Sequence, residues 1–340
     1  MFHAYRPIDA QRIDRSNRSG GEAMRNLKAK RALVTGAATG IGRQIALELA
    51  GRGANLVLAD INALELERTA IAARKLSIEV ETHRCDISDP ADLDAFADDL
   101  IDRYAGVDVL VNNAGVVYYG PTHEMPGAEW DRLVDVNFRG HLQLTRRMLP
   151  WLLGRPEAHV LNVCSVLGLT PLPRTSVYCA TKSAMIGFSN ALRGEYGRWG
   201  LGVTTLCPGF VDTGFFAAAR PTGKQNFQPK HPPKILLVSP EKVARRAVRA
   251  IERNQALVIV DPVGHWIRGV METVPWLFDW LSALGHQKRT ARQRAELAEL
   301  FAAGHDEVSA LKCYVTSHWA GELPKSSIAV PQRASSRRAA

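Results

Sequence analysis

Tyr178 and Lys182 stand four residues apart, and Ser165 precedes the tyrosine by thirteen residues. Four residues is about one helical turn, so the phenol and the ammonium share a helix face. A phenol alone is a poor base at neutral pH, with a pKa near ~10. An ammonium close by favours the phenolate, and each unit of downward shift takes about 1.4 kcal/mol of differential stabilisation. A serine hydroxyl beside them can hydrogen-bond a substrate oxygen as its charge changes. By itself Tyr-x-x-x-Lys says little, since most such pairs form a solvated helix face. Its meaning rests on the elements that hold it.

Upstream, Thr35-Gly36-Ala37-Ala38-Thr39-Gly40-Ile41-Gly42 follows a strand-like run and opens a helical one. Glycines there permit a tight turn and let backbone amides approach a pyrophosphate at the helix N-terminus. Gly36, Thr39, Gly40, Ile41 and Gly42 are therefore candidate phosphate-binding residues. Asp60 ends the next strand, 24 residues beyond Gly36, about where an acidic side chain meets the adenosine ribose hydroxyls. Its charge repels the extra phosphate of NADP, so NAD is the expected cofactor and NADP the less favoured one. Arg43 argues for NADP, but no basic residue follows Asp60 directly. Asp60 also reads as the N-cap of the helix after it, and one residue can serve both purposes.

Seven strand-like runs, at 32–35, 55–60, 79–84, 107–111, 159–164, 203–206 and 257–260, alternate with helix-like stretches. Those stretches lie near 41–52, 63–75, 90–104, 128–153, 176–198 and 240–253. Alternation at this spacing predicts an α/β, Rossmann-like, doubly wound parallel sheet of about seven strands with helices on both faces. Several runs are continuously apolar, as strands buried on both sides require. Asp89-Pro90 and Ser239-Pro240 supply N-cap and first-turn signals for two helices. The segment 208–239 reads as a loop, with prolines at 208, 221, 229, 232 and 233. It follows a strand's carboxyl end, where open α/β sheets bind ligands.

These motifs together resemble the short-chain dehydrogenase/reductase family, in its compact rather than extended branch. The resemblance rests on the Thr-Gly-x-x-x-Gly-x-Gly turn, Asp86 after the third strand, Asn112-Asn113-Ala114-Gly115 after the fourth, and Asn137 in the next helix. Ser165, Tyr178, Lys182 and Pro208-Gly209 complete it, and it covers roughly residues 28–262. It implies that Asp86, with Ile87 beside it, meets the adenine, and that Asn113, Ala114 and Gly115 border the cofactor. It also implies that Tyr178 is the acid/base, that Lys182 lowers the tyrosine pKa and binds the nicotinamide ribose, and that Ser165 orients the substrate oxygen. Asn137 is implied to hold a water in a proton relay. Pro208, Gly209, Val211 and Thr213 are implied to line the cofactor, with Thr213 resembling the threonine that contacts the carboxamide. The implied activity is reversible hydride transfer between a carbinol carbon and the nicotinamide. The competing reading is a cofactor-binding regulator, or a membrane-docked protein, that keeps the fold without significant turnover.

Composition bounds the remainder. Apolar residues at 46% and charged residues at 23% are ordinary for a globular protein with a large core. The net charge of +9 is spread along 340 residues rather than gathered in one module, so no nucleic-acid partner is expected. Five cysteines without a Cys-x-x-Cys suit a reducing compartment, and no metal site is expected. Cys179, inside the Tyr–Lys motif, reads as a packing residue. Tyr118, Tyr119 and His123 are candidates for the substrate cleft.

Residues 1–25 read as a disordered polar extension without a secretory core, and Met24 is a candidate start. Residues 26–262 form the catalytic domain, 263–303 an aromatic-rich helical extension, and 304–340 a weakly ordered tail. Three of the seven tryptophans, Trp266, Trp276 and Trp280, fall in the extension, which is too short and interrupted to span a bilayer. The basic residues flanking 264–294 make it a candidate for peripheral membrane contact. Its aromatics favour a hydrophobic alcohol or ketone, such as a steroid, retinoid or long-chain substrate. A cytoplasmic homodimer or homotetramer, with membrane association through that segment, is the expected setting.

Overall fold

The computed structural model describes residues 26–120, 125–213 and 237–261, with Met24, Thr122 and positions 264, 265, 269, 273, 276, 298 and 299. The chain divides into two units, Met1–Leu277 and Phe278–Ala340, and the architecture that follows belongs to the first. Apart from those seven positions the predicted segment 263–303 lies outside the described residues, as do 304–340, the centre of the 208–239 loop and the extension before Met24.

Seven strands form one parallel sheet: β1 (Arg31–Thr35), β2 (Asn55–Asp60), β3 (Val80–Arg84), β4 (Val109–Asn112), β5 (Ala158–Val163), β6 (Leu201–Cys207) and β7 (Leu257–Ile259). Their spatial order is β3-β2-β1-β4-β5-β6-β7. The chain thus runs outward from β1 to one edge, returns, and builds the other half from β4. Leu33 stands level with Val57 on one side and Leu110 on the other. The central strands are buried along their whole length, which is why they read as continuous apolar runs.

Among the described residues seven α-helices connect them: α1 (Gly40–Gly51), α2 (Ala63–Arg74), α3 (Pro90–Tyr104), α4 (Gly127–Val134), α5 (Gly140–Leu153), α6 (Ser176–Tyr196) and α7 (Pro240–Glu252). Alternate strand residues feed two separate cores. Val34, Leu58, Val111 and Leu206 pack under α1, α2 and α7, whereas Leu33, Val57, Leu110 and Val203 pack under α3, α5 and α6. Met24 and Leu27 belong to the first of these cores. The predicted caps are present: the Asp89 carboxylate accepts from Ala91 and Asp92, and the Ser239 hydroxyl accepts from Lys242.

Two expectations are corrected. The helix predicted over 128–153 is interrupted between α4 and α5 by a π-helical turn at Asp135–Arg139, with Asn137 at its centre. The Asn137 amide holds the Val116 backbone through two hydrogen bonds, a tertiary tie that periodicity does not report. The N-cap of α2 is Asn62, whose side chain accepts from Glu65 N–H, and not Asp60.

The ends of the long loop are pinned together. Val211 bridges Val238, Val238 N–H donates to Phe210, and Asp212 N–H donates to Val238. Among the described residues no helix is long and apolar enough to cross a membrane.

Candidate active site

Helices on both faces of a parallel sheet leave a crevice where strand order reverses, here between β1 and β4. A cavity of about 890 Å³ opens there, walled by the carboxyl ends of the central strands and the turns that leave them. Every residue proposed from sequence to touch the cofactor lines it: the glycine turn, Asp60, Asp86 and Ile87, Asn113 to Gly115, Tyr178, Lys182, Pro208, Gly209, Val211 and Thr213. Ser165 lines it as well, while Asn137 lies behind the wall. Sequence reasoning missed Arg132 and Val136, which reach the cavity from α4 and the π turn, and Val166, Leu167 and Phe210. No spacing signal marks a helix residue that arrives at a strand end from across the fold.

The glycine turn is built to touch backbone. Gly36 sits at φ +64°, and a Cβ on it would stand 2.7 Å from the Cα of Ala114. A Cβ on Gly42 would stand 2.1 Å from the Gly36 carbonyl oxygen. Asn113 locks the arrangement, its amide donating to the carbonyls of Thr35 (2.9 Å) and Gly36 (3.0 Å). The Thr35 hydroxyl accepts from the N–H groups of Asn113 and Ala114. Thr39 precedes α1 in extended conformation but makes no side-chain cap, so the first amides of α1 face the cavity uncapped. That is the donor array a pyrophosphate requires.

At the adjoining wall the Asp60 carboxylate accepts from Ala38 N–H (3.0 Å) and Asn62 N–H (2.9 Å). Asp60 thus ties the glycine turn to the end of β2. Asp86 is braced by the Ser88 backbone and hydroxyl, both bonded to one carboxylate oxygen. The cradle, the uncapped helix and the two carboxylates fit a dinucleotide lying across the switch point.

The opposite wall holds the reactive groups. Ser165, Tyr178 and Lys182 are all buried, within a few per cent of full enclosure. The Ser165 hydroxyl accepts from Leu167 N–H at 3.1 Å, which fixes its oxygen at the start of a short 3₁₀ turn. Lys182 Nζ donates to the Val163 carbonyl at 2.9 Å and lies 5.8 Å from the centre of the Tyr178 ring.

Burial pushes the Tyr178 phenol above its ordinary range, and a hydrogen bond with Ser165 works in the opposite direction. Burial also lowers the Lys182 ammonium. Burial is the largest influence on the phenol in the protein alone. Tyr178 stands in the cavity as a neutral phenol, able to give a proton. Cys164, beside Ser165, is no competing nucleophile, because burial raises its thiol to about 12. Cys179 packs with its sulfur 3.3 Å from the Thr175 hydroxyl.

The Asn137 side chain ties the π turn to Val116 and Thr181. Its amide oxygen accepts from Val116 N–H (2.8 Å), and its NH₂ donates to the Val116 carbonyl (2.9 Å) and to the Thr181 hydroxyl (3.4 Å). Tyr118 and Tyr119 pack in the cluster around Tyr178 but do not line the cavity, and His123 is outside the described residues.

Residues 30–224 match the sequence pattern of the short chain dehydrogenases. The chain belongs to the short-chain dehydrogenase/reductase family. It is an oxidoreductase on an NAD(P)-binding Rossmann fold. Among its relatives, 17-beta-hydroxysteroid dehydrogenase 13 of Mus musculus is 34% identical over 233 residues, covering 67% of this chain and 72% of that protein. A family member from Burkholderia phymatum, solved in complex with NAD, superposes with a TM-score of 0.66 at 29% identity, covering 74% of this chain and 96% of that one. An alcohol dehydrogenase from Thermococcus sibiricus, complexed with 5-hydroxy-NADP, gives 0.60 at 26% identity, with 68% and 96% covered. The two solved relatives thus carry cofactors of both phosphate types.

Proposed function

We propose that this protein is an NAD(H)-dependent oxidoreductase that interconverts a hydroxyl and a carbonyl on a hydrophobic substrate. The observation that carries the reading is one cavity with Asp60 and the glycine turn at one end and Ser165, Tyr178 and Lys182 at the other. The nicotinamide, when bound, supplies the hydride chemistry. Tyr178 exchanges a proton with the substrate oxygen through its phenol. Ser165 is positioned by Leu167 N–H to direct its own O–H toward that oxygen. Lys182 keeps its ammonium beside the phenol and binds ribose hydroxyls, held in place by the Val163 carbonyl.

The preference for NAD rests on Asp60, with Ile61 and Gln44 as its neighbours in the cavity wall; Arg43 is not part of that wall. A 2′-phosphate at that position would face the Asp60 carboxylate, which repels it. A hydrophobic substrate is supported by Val166, Leu167 and Phe210, which line the same cavity as Ser165 and Tyr178. The test is reduction of NAD and of NADP, side by side, over a panel of hydrophobic secondary alcohols and small polar hydroxy acids. Turnover with the hydrophobic panel and NAD is expected. Turnover confined to polar substrates, or faster with NADP, would overturn the substrate or the cofactor assignment respectively.

A further inference from the structure

His141, on α5, has no part in the chemistry above, yet its ring is 1% exposed and abuts the cofactor loop. Nε2 lies 2.7 Å from the Ala114 carbonyl oxygen. A carbonyl can only accept, so Nε2 carries the proton and donates it. Nδ1 is then a bare acceptor, buried with no hydrogen-bond partner among the described residues. Burial, reinforced by the charge of Lys182, lowers the imidazole to about 3, so the ring stays neutral at physiological pH. An aliphatic side chain would fill the site without burying an unpaired ring nitrogen. The bond to Ala114 is what the imidazole adds.

Ala114 is the surface on which the glycine turn rests, since Gly36 could not carry even a methyl group against it. Its N–H is held from β1 by the Thr35 hydroxyl at 3.2 Å. Its carbonyl is held from α5 by His141. The 114–115 peptide is planar, so directing that carbonyl at α5 directs the Gly115 N–H the opposite way. Gly115 lines the cavity.

We infer that His141 is a positioning residue for the dinucleotide: its Nε2–H bond to the Ala114 carbonyl sets the orientation of the 113–115 backbone against the glycine turn. The inference rests on the dinucleotide reading of the cavity. The geometry assigns the effect to cofactor affinity more than to turnover, because His141 touches neither Ser165 nor Tyr178.

The test compares His141→Leu and His141→Gln by calorimetric titration with NADH and by steady-state kinetics. Glutamine places an amide nitrogen near the position of Nε2, whereas leucine supplies bulk alone. His141→Leu should weaken NADH binding on the order of tenfold, with the KM for NAD rising by a larger factor than kcat falls. His141→Gln should recover most of the affinity. Equal weakening in both variants, or none in His141→Leu, would overturn the inference.

Should the leucine variant fail to fold, ¹⁵N-histidine NMR of the intact protein decides the contact. An Nε2–H tautomer that does not titrate between pH 5 and 8 is expected, and an Nδ1–H tautomer or a titrating ring would overturn the inference. Wild-type protein that binds neither NADH nor NADPH would refute the cofactor reading instead, and the NMR result would still stand on its own.

Discussion

A phenol pushed up by burial and a carboxylate bonded to two backbone amides are the residues on which the proposed reaction depends most. In the proposed reaction Tyr178 gives the proton to the substrate oxygen in the reductive direction; its phenol is hydrogen-bonded with Ser165. Replacing Tyr178 by phenylalanine keeps the ring in the same cluster and removes only the oxygen. The expected loss in kcat is 10²- to 10⁴-fold, roughly the contribution of a positioned acid/base. Rates within a factor of about three of the wild type would exclude the phenol as that group. Asp60→Ala should raise kcat/KM with NADP relative to NAD by roughly tenfold or more, by removing the charge that faces a 2′-phosphate. An unchanged ratio of the two cofactors would show that discrimination lies elsewhere. Both residues were legible in the sequence, because Tyr-x-x-x-Lys and an acid closing the second strand are spacing signals along one element. His141 and Arg132 were not, because each reaches the site across the fold from a helix whose own pattern gives no sign of it.

Among the elements, α1 carries the most stringent geometry, and two of its glycines separate close approach from simple presence. A Cβ on Gly42, in the first turn, would collide with the Gly36 carbonyl and the Asn113 amide; one on Gly51, the last residue, would have nothing within 4 Å. Gly42→Ala must therefore displace backbone, costing about 1–3 kcal/mol of stability, and should reduce dinucleotide affinity well beyond tenfold. Gly51→Ala should be neutral or stabilise by up to about 1 kcal/mol through the unfolded chain. Thermal unfolding with and without NADH checks both, and a Gly42→Ala protein as stable and as tightly bound as Gly51→Ala would contradict the packing described. The strand and helix positions were readable because buried parallel strands are continuously apolar and because Asp89-Pro90 and Ser239-Pro240 mark helix starts. The π turn was not readable. It depends on Asn137 bonding Val116, 21 residues earlier in the chain, and nothing local in 128–153 records that tie.

At the scale of the whole molecule, two buried histidines, one on α5 and one on β5, make stability depend on pH. His141 lies beside the cofactor loop, and His159, on β5, pairs Nε2 with the Thr204 hydroxyl at 2.8 Å. Both are 1% exposed. Burial first, then the nearby charges of Lys182 and Arg193 respectively, holds each at about 3 against an ordinary value of 6.5. Above pH 6.5 both states of the chain carry neutral rings, and neither histidine changes the balance. Below it the unfolded chain takes up protons that the native fold refuses, so stability falls as pH drops from about 6.5 towards 3. The limiting slope is about 1.4 kcal/mol per pH unit for each ring, hence roughly 3 kcal/mol per unit for the two together. The carboxylates that surface arginines hold low, Glu67 and Asp99, contribute only near and below their ordinary range, around pH 4. The window from pH 6.5 to 4.5 therefore reports mainly on the buried imidazoles. Urea unfolding at half-unit steps across that window should show a steep decline in wild-type protein and a much flatter one in a His141→Gln/His159→Gln double variant. A double variant that declines as steeply as the wild type would mean that other groups, not these two rings, take up the protons on unfolding.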